Sequence, residues 1–161
     1  MGVTPDNDPT RLIAYRVLTL SQLLNRGIEV VLDKDLGLSV RQWRVLLCIG
    51  YGGEQSVQDI ADFCRYDKSQ VSRAVAELLD KKLVATTSSP VDGRRILVDM
   101  TTAGRQKYEQ GLSRSQARQA RLASCLSASE LGAFEAAMQA LITQAENLLR
   151  EAQAAGPEKT R

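Results

Sequence analysis

The chain has no histidine among its 161 residues and only three cysteines, Cys48, Cys64 and Cys125, widely spaced and without a CxxC pair. The first absence removes the commonest general base, and the two together leave no zinc-ligand spacing. No nucleophile or metal pattern stands out, so the reading is not an enzyme and needs no cofactor. No apolar run approaches the roughly 18 residues of a membrane span, and Met1 to Pro9 is acidic and polar, without the charge-then-apolar layout of a signal peptide. A soluble cytoplasmic protein with no membrane partner is expected. For the thiols two readings stand open: small inert core residues in a reducing compartment, or a redox role for Cys64, whose neighbours Arg65 and Lys68 favour a thiolate.

Proline is sparse as well. The four, Pro5, Pro9, Pro90 and Pro157, leave a long interval with none, which predicts a mainly helical chain. Net charge is only +2, but it is unevenly spread. From Arg65 to Lys107 there are nine cations against five anions, a surplus of four, so the remainder of the chain carries −2. The positive potential therefore sits on one segment.

Ile13, Val17, Leu20, Leu24, Ile28 and Val31 recur at steps of four and three and predict a long amphipathic helix ending near Asp33 to Gly37. Ser39 to Gln42 has the form of a capping box and opens a second helix through Trp43, Leu46, Leu47 and Ile49. Gly50-Tyr51-Gly52-Gly53 should break it; lacking phosphate-loop spacing and following a helix, these glycines are no nucleotide site.

Ser56, with Asp59 three residues on, caps a short helix whose apolar face is Val57, Ile60, Ala61 and Phe63. Arg65-Tyr66 makes a tight turn, and Asp67 with Gln70 caps the next helix. There Val71, Ala74, Val75, Leu78 and Leu79 form the inward stripe, leaving Lys68, Ser69, Gln70, Ser72 and Arg73 near the exposed N-terminal end. Two helices joined by a short turn, the second leading with polar residues, follow helix-turn-helix logic.

Leu83 to Thr87 and Ile96 to Met100 are β-branched and apolar around a turn-rich Ser88 to Gly93, which predicts a hairpin with Arg94 and Arg95 at its tip. Thr101 or Thr102 caps a further helix, on which Arg114, Arg118 and Arg121 share a face that is either simply solvated or turned toward phosphate or a partner. Ser127 to Glu130 is another capping box, followed by Leu131, Phe134, Met138, Leu141, Ala145 and Leu148. The first and last helices thus carry seams that the middle of the chain does not need for its own core. Burying them against each other and a second chain predicts a symmetric dimer, its two reading helices about one DNA turn apart, ~34 Å, on a pseudo-palindrome.

With these pieces in order, the chain resembles the MarR family of winged helix-turn-helix transcriptional regulators over nearly its whole length. The residues that carry the likeness are Ser56-Val57-Gln58-Asp59-Ile60-Ala61, Asp67 to Arg73, Leu78 to Val84, and Asp92-Gly93-Arg94-Arg95 followed by Leu97 to Gly104, similar to the family's wing signature. Met100 stands where that signature usually has Leu. The resemblance implies a mainly α fold with a small two-stranded β wing. It sets a leader at residues 1–9 and a tail at 152–161, both disordered, dimerisation helices at 10–37 and 102–151, and the winged helix-turn-helix at 38–101.

It also implies a homodimer on a double-stranded, pseudo-palindromic operator, commonly as a cytoplasmic, nucleoid-associated repressor, released by a small aromatic or phenolic effector. Lys68 and Ser69 would meet phosphate, and Gln70, Ser72 and Arg73 the base edges. Arg94, or second to it Arg95, would enter the minor groove with Asp92 orienting it. Tyr15, Arg16 and Trp43 would be the effector's contacts, or else structural and solvated residues. Peroxide-sensing members keep a cysteine near the start of the first helix, and this chain has none there. The competing reading is a winged helix that docks proteins without sequence-specific DNA binding.

Overall fold

A computed structural model describes residues 8–88 and 95–155. Six helices run in order: α1 (Ile13–Leu36), α2 (Val40–Gly52), α3 (Val57–Cys64), α4 (Lys68–Asp80), α5 (Thr102–Ala123) and α6 (Ala128–Ala155). Three short strands, β1 (Gln55–Ser56), β2 (Val84–Ser88) and β3 (Ile96–Met100), form an antiparallel sheet in the order β1-β3-β2. The hairpin is the expected one, with Val84 opposite Met100 and Ser88 opposite Ile96. The third strand was not expected: two residues are too short to show a period, yet Gln55 and Ser56 pair with Val98 and Leu97.

The helix starts follow their side chains. Ser39 and Gln42 close a complete capping box, the Gln42 N–H donating to Ser39 Oγ at 3.2 Å and the Ser39 N–H to Gln42 Oε1 at 3.0 Å. Ser56 and Asp59 do the same at 3.2 Å in both directions. Each such box stabilises its helix by about 1 kcal/mol. Thr101 begins α5, its Oγ accepting from the Gly104 N–H at 3.1 Å and donating to the Lys82 carbonyl at 2.8 Å.

Several expected boundaries and faces shift. Gly50 to Gly52 do not break α2; the helix runs through them and stops at Gly53, whose φ of 75° is glycine's own territory. Pro9–Arg11 form a 3₁₀ turn capped by Asp8, at the end of the expected leader, and α6 continues to Ala155, past the expected start of the tail. Phe63 is half exposed, its place on the inner face of α3 taken by Cys64, and Leu79 lies at the rim of its stripe, 37% exposed.

Residues up to Arg114 form one compact unit and those from Ser115 another. The core of the first is built from α2, α3 and α4 around Leu46, Ile49, Ile60, Val71, Leu78 and Val98, all fully buried. Trp43 extends it toward α5: it stacks on Tyr108 with ring centroids 6.0 Å apart, and Gly111 leaves room where a Cβ would fall 2.4 Å from the indole. Arg114 is ion-paired to Asp35, which removes it from a uniformly solvated arginine face. In the second unit α6 opens on the Ser127–Glu130 box and buries no residue within this chain; Phe134, Leu141 and Leu148 all lie open. In the first, α1 exposes Ile13, Val17 and Leu20.

Candidate nucleic-acid interface

The turn between α3 and α4 sets the aim of α4. Arg65 takes the left-handed conformation, φ 56°, and the Tyr66 N–H closes back on the Ala61 carbonyl at 3.0 Å, ending α3 abruptly. Tyr66 is then pinned to α2 by the guanidinium of Arg44, 5.3 Å from its ring centre. On α4 the residues Val71, Ala74, Val75 and Leu78 are buried, and the period of 3.6 therefore turns Lys68, Ser69, Ser72 and Arg73 outward. They share the helix's N-terminal turns, where the backbone amides carry a partial positive charge.

Two of the expected reading residues are already engaged. The Gln70 side chain turns back so that its Oε1 accepts from the Asp67 N–H, a long bond of 3.4 Å, and the residue is half-buried. Ser72 Oγ donates to the Lys68 carbonyl at 2.9 Å. In this arrangement Ser72 offers a partner only its lone pairs, which suits the amino groups of adenine or cytosine.

Arg95 is not at a free tip. Its Nη2 donates to Ser56 Oγ at 3.0 Å and pairs with Asp59 Oδ2 at 3.2 Å, tying the start of β3 to the cap of α3. The Asp59 pKa is lowered from its ordinary value, chiefly by the Ser56 hydroxyl and further by the Ser56 backbone amide and Arg95, against an opposing push from burial. Asp92 and Arg94 lie outside the described residues.

Two grooves flank α4. One, of about 370 Å³, is lined by Ser39, Arg41, Gln70, Arg73 and Glu77; the other, of about 280 Å³, by Ser56, Gln58, Lys68, Ser72 and Arg95. Arg41 and Gln58 are thus additions that sequence reasoning missed. Each sits inside a capping box, two residues after its serine, and which way it faces depends on how its helix packs on α4, which no local pattern encodes.

Tyr15, Arg16 and Trp43 are not brought together as an effector site. Trp43 is 1% exposed and spent on packing, whereas Tyr15 and Arg16 are exposed on α1. A different groove, of about 660 Å³, lies where α1 meets α2, lined among others by Arg26, Glu29, Asp33, Gln42 and Lys81. The redox reading of Cys64 also fails on geometry. It is buried with its thiol toward the Arg44 carbonyl, and burial raises its pKa more than the Arg44 charge lowers it. Among the described residues no group of acidic, cysteine or histidine side chains is placed to hold a metal, and no helix is long and apolar enough to cross a membrane.

Residues 36–95 match the sequence profile of the MarR family. Over 76 residues the chain is 34% identical to the HTH-type transcriptional repressor IacR of Pseudomonas putida, a match covering 47% of this chain and 46% of that protein, so the likeness spans about half the length of either. The fold is similar to that of a MarR/EmrR family transcriptional regulator from Acinetobacter sp. ADP1, with a TM-score of 0.81 at 21% identity over 87% of this chain and 99% of the other. MepR of S. aureus, in its complex with DNA, superposes with a TM-score of 0.75 at 20% identity over 85% and 99%. At these identities the structural likeness speaks for the fold.

Proposed function

We propose that this chain, whose residues 36–95 match the MarR family profile, is a winged helix-turn-helix transcriptional regulator of that family, binding double-stranded DNA as a homodimer. The observation that carries the reading is the split face of α4. Four apolar residues anchor it in the core, while Lys68, Ser69, Ser72 and Arg73 point away from the protein at the end where the helix favours anions. In this reading Lys68 and Ser69 meet phosphate and Ser72 and Arg73 meet base edges in the major groove, with Gln70 joining them once it releases the Asp67 amide. Arg94 enters the minor groove, oriented by Asp92.

The homodimer is supported by the unburied apolar residues of α1 and of α6, since each such side chain gains about 1.5–3 kcal/mol on leaving water. Two-fold symmetry would then set a pseudo-palindromic operator. DNA binding would place the protein with the nucleoid in the cytoplasm, and repression relieved by a small aromatic or phenolic molecule is the form of regulation proposed. The groove between α1 and α2 is a better seat for that molecule than the buried Trp43, since it is open and carries both cations, Arg26 and Lys81, and carboxylates, Glu29 and Asp33, for polar contacts.

The test is duplex affinity against salt. A protein neutralising six or more phosphates loses about three powers of ten or more in affinity between roughly 50 and 200 mM salt. A flat response would instead favour the protein-docking alternative. Arg94→Ala should weaken binding most at sites with A·T-rich flanks, and equal loss on every sequence would refute minor-groove reading by this residue.

A further inference from the structure

The anchoring of Arg95 leaves it a role that its place in the wing does not suggest. Between described residues its polar contacts all run through Nη2, to Ser56 and Asp59, and Nε and Nη1 make none of them. To probe a minor groove ahead of the wing, the side chain would have to give up both of these partners. As placed, it lines the smaller groove beside α4 together with Lys68 and Ser72 of that helix and with Val57 and Gln58 at the start of α3.

We propose that this groove seats one backbone phosphate of bound DNA, gripped at once by Lys68 from α4 and by Arg95 from the wing, with Ser56 and Asp59 holding the arginine in position. The proposal rests on the DNA-binding reading and deepens it. Asp59 here is a positioning residue: its carboxylate accepts from Ser56 Oγ at 2.6 Å while it pairs with the guanidinium, so the clamp is set before DNA arrives. Ser56 is 5% exposed and joins three structures at one residue, as the cap of α3, the partner of Leu97 in the sheet and an acceptor for Arg95. Recognition helix and wing would therefore close on the same strand of DNA as one rigid jaw.

Counterion release separates one shared phosphate from two separate ones. The salt slope of duplex affinity falls by about 0.9 for each phosphate that loses its cation. We would measure it with a mixed-sequence DNA duplex for the wild type, Lys68→Met, Arg95→Met and the double variant. On a shared phosphate, either single variant binds more weakly with a nearly unchanged slope, because the other cation still neutralises the site. The double variant alone then loses about 0.9 per protomer. Slopes that drop by about 0.9 in each single variant and twice that in the double would overturn the clamp while leaving DNA binding intact. A wild type with no salt slope would overturn both. Asp59→Asn, which loosens the wing but keeps both cations, should keep the wild-type slope; a slope as low as the double variant's would show that Arg95 is only a structural bolt, and would equally sink the proposal.

Discussion

The side-chain amide of Gln42 donates to the Glu77 carboxylate at 2.6 Å, joining the first turn of α2 to the back of α4 across 35 residues of chain. The same side chain accepts from the Ser39 N–H, so one 5% exposed glutamine caps a helix and braces the reading helix together. Gln42→Leu leaves two polar groups without their partner and should lower stability by about 2 kcal/mol, read from the urea midpoint. Gln42→Glu should cost more than Gln42→Leu, by setting two carboxylates face to face, and raising the salt concentration should recover part of the excess.

Gly104 sits where a Cβ would fall 1.8 Å from the Leu83 carbonyl oxygen, a backbone atom with nowhere to go. Gly104→Ala should therefore destabilise by about 3 kcal/mol or prevent folding. Gly132, within α6, has nothing within 4 Å of its own missing Cβ. Gly132→Ala should raise the melting temperature, worth about 0.5–1 kcal/mol by helix propensity. Thermal unfolding of the pair contrasts a glycine demanded by packing with one that is not.

Acid should loosen the cap of α3. Asp59 has its pKa lowered in the folded chain from an ordinary value of 3.8. A depressed folded value contributes stability that is fully present above 3.8 and is lost as pH falls through the lowered value. Because the Ser56 hydroxyl is the largest cause, Ser56→Ala should flatten this acid limb as well as removing about 1 kcal/mol of capping at neutral pH. Chemical unfolding across the acid range would check it; an acid limb as steep as the wild type's would contradict the assignment.

Thiol chemistry should single out Cys125. It is exposed at the turn before α6, whereas Cys48 and Cys64 are buried and burial raises both, Cys48 to about 11. A colourimetric thiol reagent at mildly alkaline pH should modify one equivalent in the native protein and three after denaturation. Fast native modification of two or more would contradict this burial.

What the sequence made legible was whatever local rules govern. The boxes at Ser39, Ser56 and Ser127 announced their helices, and the 3.6 spacing of Val71, Ala74, Val75 and Leu78 announced which side of α4 is dry. What it hid depends on partners far along the chain. The two-residue β1 exists only because β3 passes beside it, and Arg95 lies beside Ser56, 39 residues away, only through that pairing. Trp43 could be read from the sequence either as an effector contact or as a structural residue, and the notch at Gly111 that receives its indole lies 68 residues further along the chain. The glycines after Ile49 misled for the opposite reason: tertiary contacts carried α2 three residues beyond Ile49, where propensity alone would have stopped it.

The notch at Gly111 has a practical corollary. Trp43 is the chain's one tryptophan, so its emission comes from a single indole wedged between α2 and α5 and stacked on Tyr108. Any rotation of α5 must drag a ring past a ring, and the light emitted will change in colour and lifetime as it does. The protein carries its own unlabelled gauge of whether a small molecule or a DNA duplex has moved that helix.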